Sequence, residues 1–167
     1  MSKIAVVLAD DFEDVEFTTP KAALIEAGHE VVVIGSDEGV VTGKQGTDVH
    51  VDLVVADATP ADYDALLIPG GFSPDHLRTD DEIVAFVSAM VAADVPIAAV
   101  CHAPSLLIEA GVVDGRTMTS WPSIRTDLAN AGATVVDEEV VIDEPFITSR
   151  NPDDLTAFSS ALVRALL

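Results

Sequence analysis

The chain has 167 residues, 49% of them apolar, and carries 29 acidic against 8 basic side chains for a formal net charge of −21. That length is the span of one domain with interior enough to fold without disulfide or metal staples, so residues 1–167 are expected to form a single unit. The acid is spread along the chain, the pattern of an acidic coat over an ordinary core rather than of a docking tail, and it argues against nucleic-acid binding, which needs clustered Lys and Arg.

Met1-Ser2-Lys3 runs straight into Ile4-Ala5-Val6-Val7-Leu8, a continuous apolar run suited to a strand buried on both faces of a parallel sheet. Thr19-Pro20 is read as the start of a helix carrying Leu24, Ile25 and Ala27 and ending at Gly28, and Val31 to Ile34 as the second buried strand, completing a β-α-β unit. The glycines between Gly39 and Gly46 mark a hairpin excursion before a strand over Val49 to Val55. Ala65 to Ile68 is the next core strand, ended by Pro69-Gly70-Gly71. Asp80 to Ala93 is predicted helical from the spacing of Ile83, Val84, Val87, Met90 and Val91. Ile97 to Val100 is another buried strand, followed at once by Cys101 and a helix over Ala103 to Ala110. A helix over Ile124 to Ala131, strands over Val135 to Val141 and Phe146 to Thr148, and a closing helix over Leu155 to Leu166 complete the pattern. Strands alternating with helices predict an α/β fold with a mainly parallel sheet covered on both faces.

The chain has one cysteine, which excludes an internal disulfide and a multi-cysteine metal site. The N-terminal residues lack the pattern of a signal peptide and no apolar stretch has the length of a membrane span, so a cytoplasmic protein is expected. The near absence of lysine (Lys3, Lys21, Lys44) beside abundant Asp is what a salt-adapted cytoplasm would favour, because salt screens self-repulsion.

The chemistry points to Ala99-Val100-Cys101-His102-Ala103-Pro104. A nucleophile between a buried strand and a helix sits on a sharp turn at the carboxyl edge of the sheet, where backbone N–H groups can stabilise a thiolate or an oxyanion. This is a nucleophile elbow with sulfur in place of oxygen. The competing reading is an inert buried cysteine; the strand end, the adjacent histidine and the following helix favour a reactive one. His29, His50 and His76 lack metal-ligand spacing, and Gly43-Lys44-Gln45-Gly46 is too short for a phosphate loop. No cofactor motif is present, and none is expected. Trp121 is equally readable as a pocket wall or a core aromatic.

The sequence resembles the PfpI family, a branch of the superfamily that includes the Parkinsonism-associated deglycase. The resemblance rests on Asp11-Phe12-Glu13-Asp14-Val15-Glu16 with Pro20, on Glu26-Ala27-Gly28-His29-Glu30-Val31 and on Thr42-Gly43-Lys44-Gln45-Gly46. It continues through Pro69-Gly70-Gly71, Cys101-His102, Ser120-Trp121-Pro122, Ala131-Gly132 and Ser149-Arg150-Asn151-Pro152-Asp153-Asp154-Leu155. It implies a flavodoxin-like three-layer sandwich with Cys101 as nucleophile and Glu16, one helical turn from Glu13, reaching it. A carboxyl group beside a thiolate is useful when protonated, a form that burial next to another negative charge favours. On the residues alone Glu16 reads as a solvated acid at a helix start. The resemblance also makes His102 a partner of the cysteine, although neighbours on a sharp turn tend to point apart. Gly71 and His102 are the implied oxyanion donors through their backbone N–H groups. Asp75 stands where the family carries a glutamate that orients the histidine across a subunit boundary, one methylene shorter, which weakens a Cys-His-acid triad. Arg150 reads as structural, pairing an acid at a strand end.

The resemblance implies a homodimer or ring of dimers, with the 43–46 loop at a subunit contact, and two substrate classes: peptides, or small reactive aldehydes and their protein adducts. The aldehyde class needs only the cysteine and a glutamate. A non-catalytic reading makes Cys101 an oxidisable thiol in a redox sensor or holdase, and a third makes the chain an inactive scaffold. The net charge of −21 sets one expectation for the whole molecule: its thermal midpoint rises between low and molar salt. A midpoint that stays flat or falls in that series would contradict it.

Overall fold

The computed structural model describes residues 1–167. In chain order it forms β1 (Lys3–Val7), α1 (Asp14–Glu26), β2 (Glu30–Gly35), β3 (Val40–Thr42), β4 (Asp48–His50), β5 (Leu53–Val54), β6 (Ala65–Ile68), α2 (Ser73–Leu77) and α3 (Asp81–Ala92). There follow β7 (Ile97–Val100), α4 (Pro104–Glu109), β8 (Thr117–Met118), α5 (Arg125–Asn130), β9 (Thr134–Val135), β10 (Val141–Asp143), β11 (Phe146–Ser149) and α6 (Leu155–Ala165). A seven-stranded sheet runs in the order β10-β11-β7-β6-β1-β2-β5, parallel except for β10 on β11. Short β3-β4 and β8-β9 pairs stand outside it.

Ile4 to Val7, Ala65 to Ile68 and Ile97 to Val100 are wholly buried, which explains why these strands are continuous apolar runs rather than alternating ones. On one face Phe17, Leu24, Phe158 and Leu162 of α1 and α6 cover Ile4, Val6, Leu67 and Ala98. On the other, Ile83, Val87 and Met90 of α3, with Leu106 and Leu107 of α4 and Leu128 of α5, cover Ala5, Val7, Leu66 and Ile68. Helix, sheet and helix layers in this order make the flavodoxin-like sandwich expected from the sequence.

Four elements differ from the sequence reading. Helix α1 begins at Asp14, and Pro20 is buried inside it rather than marking its start. The missing proline N–H leaves the Glu16 carbonyl without its helical donor, a loss tolerated because α1 packs along both α6 and β2. The Val49–Val55 strand is broken into β4 and β5 by Asp52, whose carboxylate accepts the Val33 N–H at 2.8 Å in competition with ladder bonding. The Val135–Val141 strand is broken by Asp137-Glu138-Glu139: Asp137 is drawn to two arginines, and the Ser149 hydroxyl donates to the Glu139 carbonyl at 2.7 Å. Helix α2 was not anticipated, because Ser73-Pro74 reads locally as a turn.

Two buried acids organise the carboxyl edge of the sheet. Asp154 receives the Arg150 guanidinium through Nε and a terminal nitrogen, both at 2.9 Å, together with the Arg150 backbone N–H, so Arg150 does hold an acid at the end of β11. Asp14 accepts the Gln45 and Thr47 backbone N–H groups at 2.8 and 2.9 Å and pins the β3-β4 turn onto the start of α1. Burial alone would raise the Asp14 pKa; these hydrogen bonds outweigh it and hold the carboxyl below its ordinary range. Asp14→Ala strands two amides and is expected to cost about 1–3 kcal/mol in urea unfolding. A native midpoint in that variant would remove the clamp from the account.

Candidate active site

The order β2-β1-β6 places a topological switch between β1 and β6, since the chain leaves these strands toward opposite faces of the sheet; ligands in open α/β sheets bind in the crevice this leaves at the carboxyl ends. The segment after β1 ends in Glu13 and Glu16, the segment after β6 is Pro69-Gly70-Gly71, and Cys101 follows the neighbouring β7. The three lie together.

Cys101 has a φ of 63°, in the left-handed region that a side chain rarely occupies. Its N–H donates to the Ser149 carbonyl at 3.0 Å and its carbonyl accepts from Trp121, so the elbow is locked on both sides. Cys101 as a residue is 6% exposed. The N–H groups of Gly71 and His102 have no backbone acceptor and are directed to the sulfur. Gly71 has a φ of 74°, and a Cβ there would strike the Asp11 carbonyl oxygen at 2.6 Å. Gly70 is equally constrained: a Cβ would lie 2.5 Å from Glu16 Oε1 and 2.9 Å from the Cys101 Cβ. The bare backbone at Gly70 is what allows the carboxyl and the thiol to pack side by side.

Glu16 is fully buried in the first turn of α1 and accepts the Gly70 N–H on Oε1 at 3.0 Å. Oε2 is sealed from solvent without a hydrogen-bond partner, and the Cys101 thiol acts on the carboxyl from close by. Burial lifts the Glu16 pKa to about 8; the Gly70 N–H opposes the rise, the Glu13 carboxylate adds to it, and Cys101 and Lys44 oppose it. Burial also raises the Cys101 thiol, the Glu16 charge adds to that, and the Gly71 and His102 amides oppose it. The two groups titrate as a pair that retains at least one proton at neutral pH. The solvated-acid reading of Glu16 is therefore overturned by its burial.

The His102 ring reaches the cysteine after all, with Nδ1 3.3 Å from Sγ, because the left-handed turn at Cys101 brings the two side chains to one side. Nε2 lies 3.2 Å from the Ser123 hydroxyl, and the ring stacks on Trp121 at a centroid distance of 5.9 Å. Burial and then the Lys44 charge lower its pKa, so the imidazole is neutral near pH 7. A hydroxyl can donate or accept, so either neutral tautomer is satisfied between Ser123 and the sulfur.

Glu13 precedes α1 and pairs with Lys44 at 3.1 Å. Asp75 lies on the exposed side of α2 and makes no side-chain hydrogen bond or ion pair within the chain; the group facing His102 is Ser123. Ser123 is a site residue that the sequence reading passed over, and Lys44 entered that reading of the site only as part of the 43–46 loop. The rarity of lysine was a usable signal for Lys44; nothing local marks Ser123. No cluster of three or more His, Cys, Asp or Glu is arranged to hold a metal, and no helix is long and apolar enough to cross a membrane.

Fold and site together define an α/β protein with a cysteine elbow and a buried carboxyl partner. The sequence profile of the DJ-1/PfpI family matches residues 2–165, and the chain belongs to that family. An uncharacterized protein of Staphylococcus saprophyticus is 53% identical over 98% of this chain and 97% of its own length, and one of Staphylococcus aureus is 51% identical over 98% of both. These staphylococcal relatives lend no support to the salt-adapted origin expected from the charge. Among solved structures, the Anabaena variabilis protein with DJ-1/ThiJ/PfpI-like and ferritin-like domains superposes with a TM-score of 0.98 at 38% identity. That match covers 99% of this chain but 48% of the larger protein. Drosophila melanogaster DJ-1beta superposes with a TM-score of 0.91 at 30% identity, covering 99% of this chain and 91% of its own.

A carboxyl pKa raised to about 8 has a signed consequence for stability. Between the ordinary carboxylate range and pH 8 the folded protein binds a proton that the unfolded chain does not, so stability falls as pH rises through that interval. Glu16→Gln keeps the acceptor for Gly70 and removes the titration. It is expected to be more stable than the parent at pH 8, with the advantage shrinking toward pH 4.5, in thermal melts across that range. The same substitution should abolish an inflection near pH 8 in the rate of Cys101 alkylation by iodoacetamide. Identical melts and pH profiles for the two proteins would mean Glu16 does not hold this proton.

Proposed function

We propose that the chain is a cysteine-dependent enzyme acting on small reactive aldehydes, such as methylglyoxal, or on their adducts with proteins. The observation that carries this reading is the buried Glu16 carboxyl, protonated at neutral pH, packed against the Cys101 thiol beside the Gly71 and His102 backbone N–H groups. In this scheme the thiol loses its proton to solvent, the thiolate adds to the aldehyde carbon, and the new alkoxide is held by the Gly71 and His102 N–H groups and takes a proton from Glu16. The Glu16 carboxylate then moves the proton of the former aldehyde carbon to the adjacent carbonyl carbon while the hydroxyl proton passes from the first oxygen to the second, leaving a thioester of lactic acid. Water cleaves the thioester to lactate and the free thiol, so the net change is hydration of the substrate.

Peptide cleavage fits less well, since His102 faces Ser123 and Asp75 gives it no acid within the chain. A dimer or ring of dimers could supply an acid from a neighbouring subunit; self-association is part of the proposal, as is a reducing compartment such as the cytoplasm, where a lone thiol persists. One observation favours a second reading, a redox sensor: the unpartnered Glu16 Oε2 would gain a partner if Cys101 were oxidised to a sulfinic acid.

Cys101→Ala is expected to reduce turnover of methylglyoxal, and release of its adducts from protein, to the uncatalysed background with the fold intact by circular dichroism. Glu16→Gln should lower kcat by about 10²–10⁴-fold. Turnover that survives in Cys101→Ala, or a parent protein inert toward aldehyde and adduct alike, would sink the enzyme reading.

A further inference from the structure

The protein carries a net charge of −21, a surface that repels anions, yet one cation acts on the candidate site. Lys44 sits in the turn between β3 and β4. That turn is fixed: the Lys44 N–H donates to the Phe12 carbonyl at 3.0 Å, Gly43 and Gly46 close the loop on itself, and Asp14 clamps Gln45 and Thr47. The ammonium donates to Glu13 Oε2 at 3.1 Å, and its side chain is 48% exposed. One of its three donors is thus used and the others open to solvent. Its charge reaches Cys101, Glu16 and His102 alike. Six other cations are engaged elsewhere, Lys3 over Tyr63, Lys21 over Phe17, Arg78 on Glu109, Arg116 over Phe146, and Arg125 and Arg150 on Asp137, and Arg164 lies in the last turn of α6.

We propose that Lys44 is a specificity-determining residue that admits carbonyl electrophiles carrying a carboxylate to the Cys101 pocket, with Glu13 occupying the anion subsite until such a substrate displaces it. The proposal deepens the aldehyde reading by naming a charge class for the substrate, but its physical content is narrower. An anion next to the thiol is favoured here on a protein that otherwise excludes anions. The pairing of Lys44 with Glu13 rather than with Glu16 follows from burial, since the sealed Glu16 carboxyl is neutral and Glu13 is the charged acid at the rim. A substrate carboxylate can take over the Lys44 donor at little electrostatic loss, because one carboxylate replaces another.

The single cysteine allows a test independent of turnover. Iodoacetate and iodoacetamide alkylate the same sulfur, differ chiefly in charge, and lose the same iodide. Their rate ratio therefore cancels changes in the amount of thiolate. The ratio in the folded protein is expected to exceed that in the urea-unfolded chain. Lys44→Gln should lower the ratio at least about fourfold, the effect of one charge some 5 Å away in a watery medium. Lys44→Arg should retain it, Glu13→Gln should raise it, and added salt should narrow all the differences. A ratio unmoved by Lys44→Gln, or one not recovered in Lys44→Arg, overturns the proposal whatever the enzyme's substrates. If the ratio behaves as expected while methylglyoxal is not turned over, the anion subsite stands and the aldehyde reading alone fails.

Discussion

The site depends on one contact: a protonated carboxyl and a thiol packed together where neither can be solvated. Glu16 is fully buried and Cys101 nearly so, and the bare backbone of Gly70 lies against both. In water the carboxyl would lose its proton more than three pH units before the thiol. In the site, burial raises both groups, to about 8 for the carboxyl and about 12 for the thiol, so the carboxyl still ionises first and is the one of the two that titrates nearest neutral pH. The remaining geometry serves to maintain this contact. The left-handed turn at Cys101, the glycines at 70 and 71, and the tie from Cys101 to Ser149 all place the sulfur without filling the space the carboxyl needs.

Such a contact is unfavourable for stability, and the surrounding fold has to compensate. An unpartnered Glu16 Oε2 and a non-glycine residue with positive φ each cost free energy. They sit above strands β1, β6 and β7, whose side chains are sealed on both faces and supply the most cohesive part of the molecule. The acids around the edge are divided by environment. Asp14 and Asp154 are met by backbone amides and a guanidinium and remain charged, whereas Glu16 receives a single N–H and becomes the acid that holds a proton. Three carboxyls near one sheet edge thus take different roles according to the number of donors each receives.

The core strands were legible in the sequence because their signal is local: Ala65–Ile68 and Ile97–Val100 are apolar runs, and their bounds coincide with the strands observed. The elbow was legible because strand, cysteine and helix are contiguous. What failed was set by partners distant in the chain. Pro20 lies within α1 because α6 and β2 hold that helix, and no local pattern records them. Asp52 and Asp137 break strands because Val33, Arg125 and Arg150 approach from elsewhere. Glu16 looks like an ordinary first-turn acid until the Gly70 segment closes over it, so its burial was not legible in the local sequence. The His102 ring was misjudged for a related reason: at an ordinary φ neighbours diverge, and the strained backbone of Cys101 reverses that.

The neutral state of His102 narrows what the pocket can do. A thiolate–imidazolium pair suits amide cleavage, because the imidazolium can protonate the departing amine. Here burial and the Lys44 charge both disfavour the imidazolium, and the ring's far nitrogen meets a hydroxyl rather than a carboxylate that would stabilise it. The proton available beside the sulfur is on Glu16. An aldehyde has no amine to expel: addition needs a proton for one oxygen, and the following isomerisation needs a base at the same place. A single carboxyl that gives a proton and takes one back meets both needs, whereas an amide substrate would require a second acid on the opposite side of the sulfur. The protonation of the two neighbours of Cys101, more than the identity of the nucleophile, therefore favours carbonyl addition over peptide cleavage.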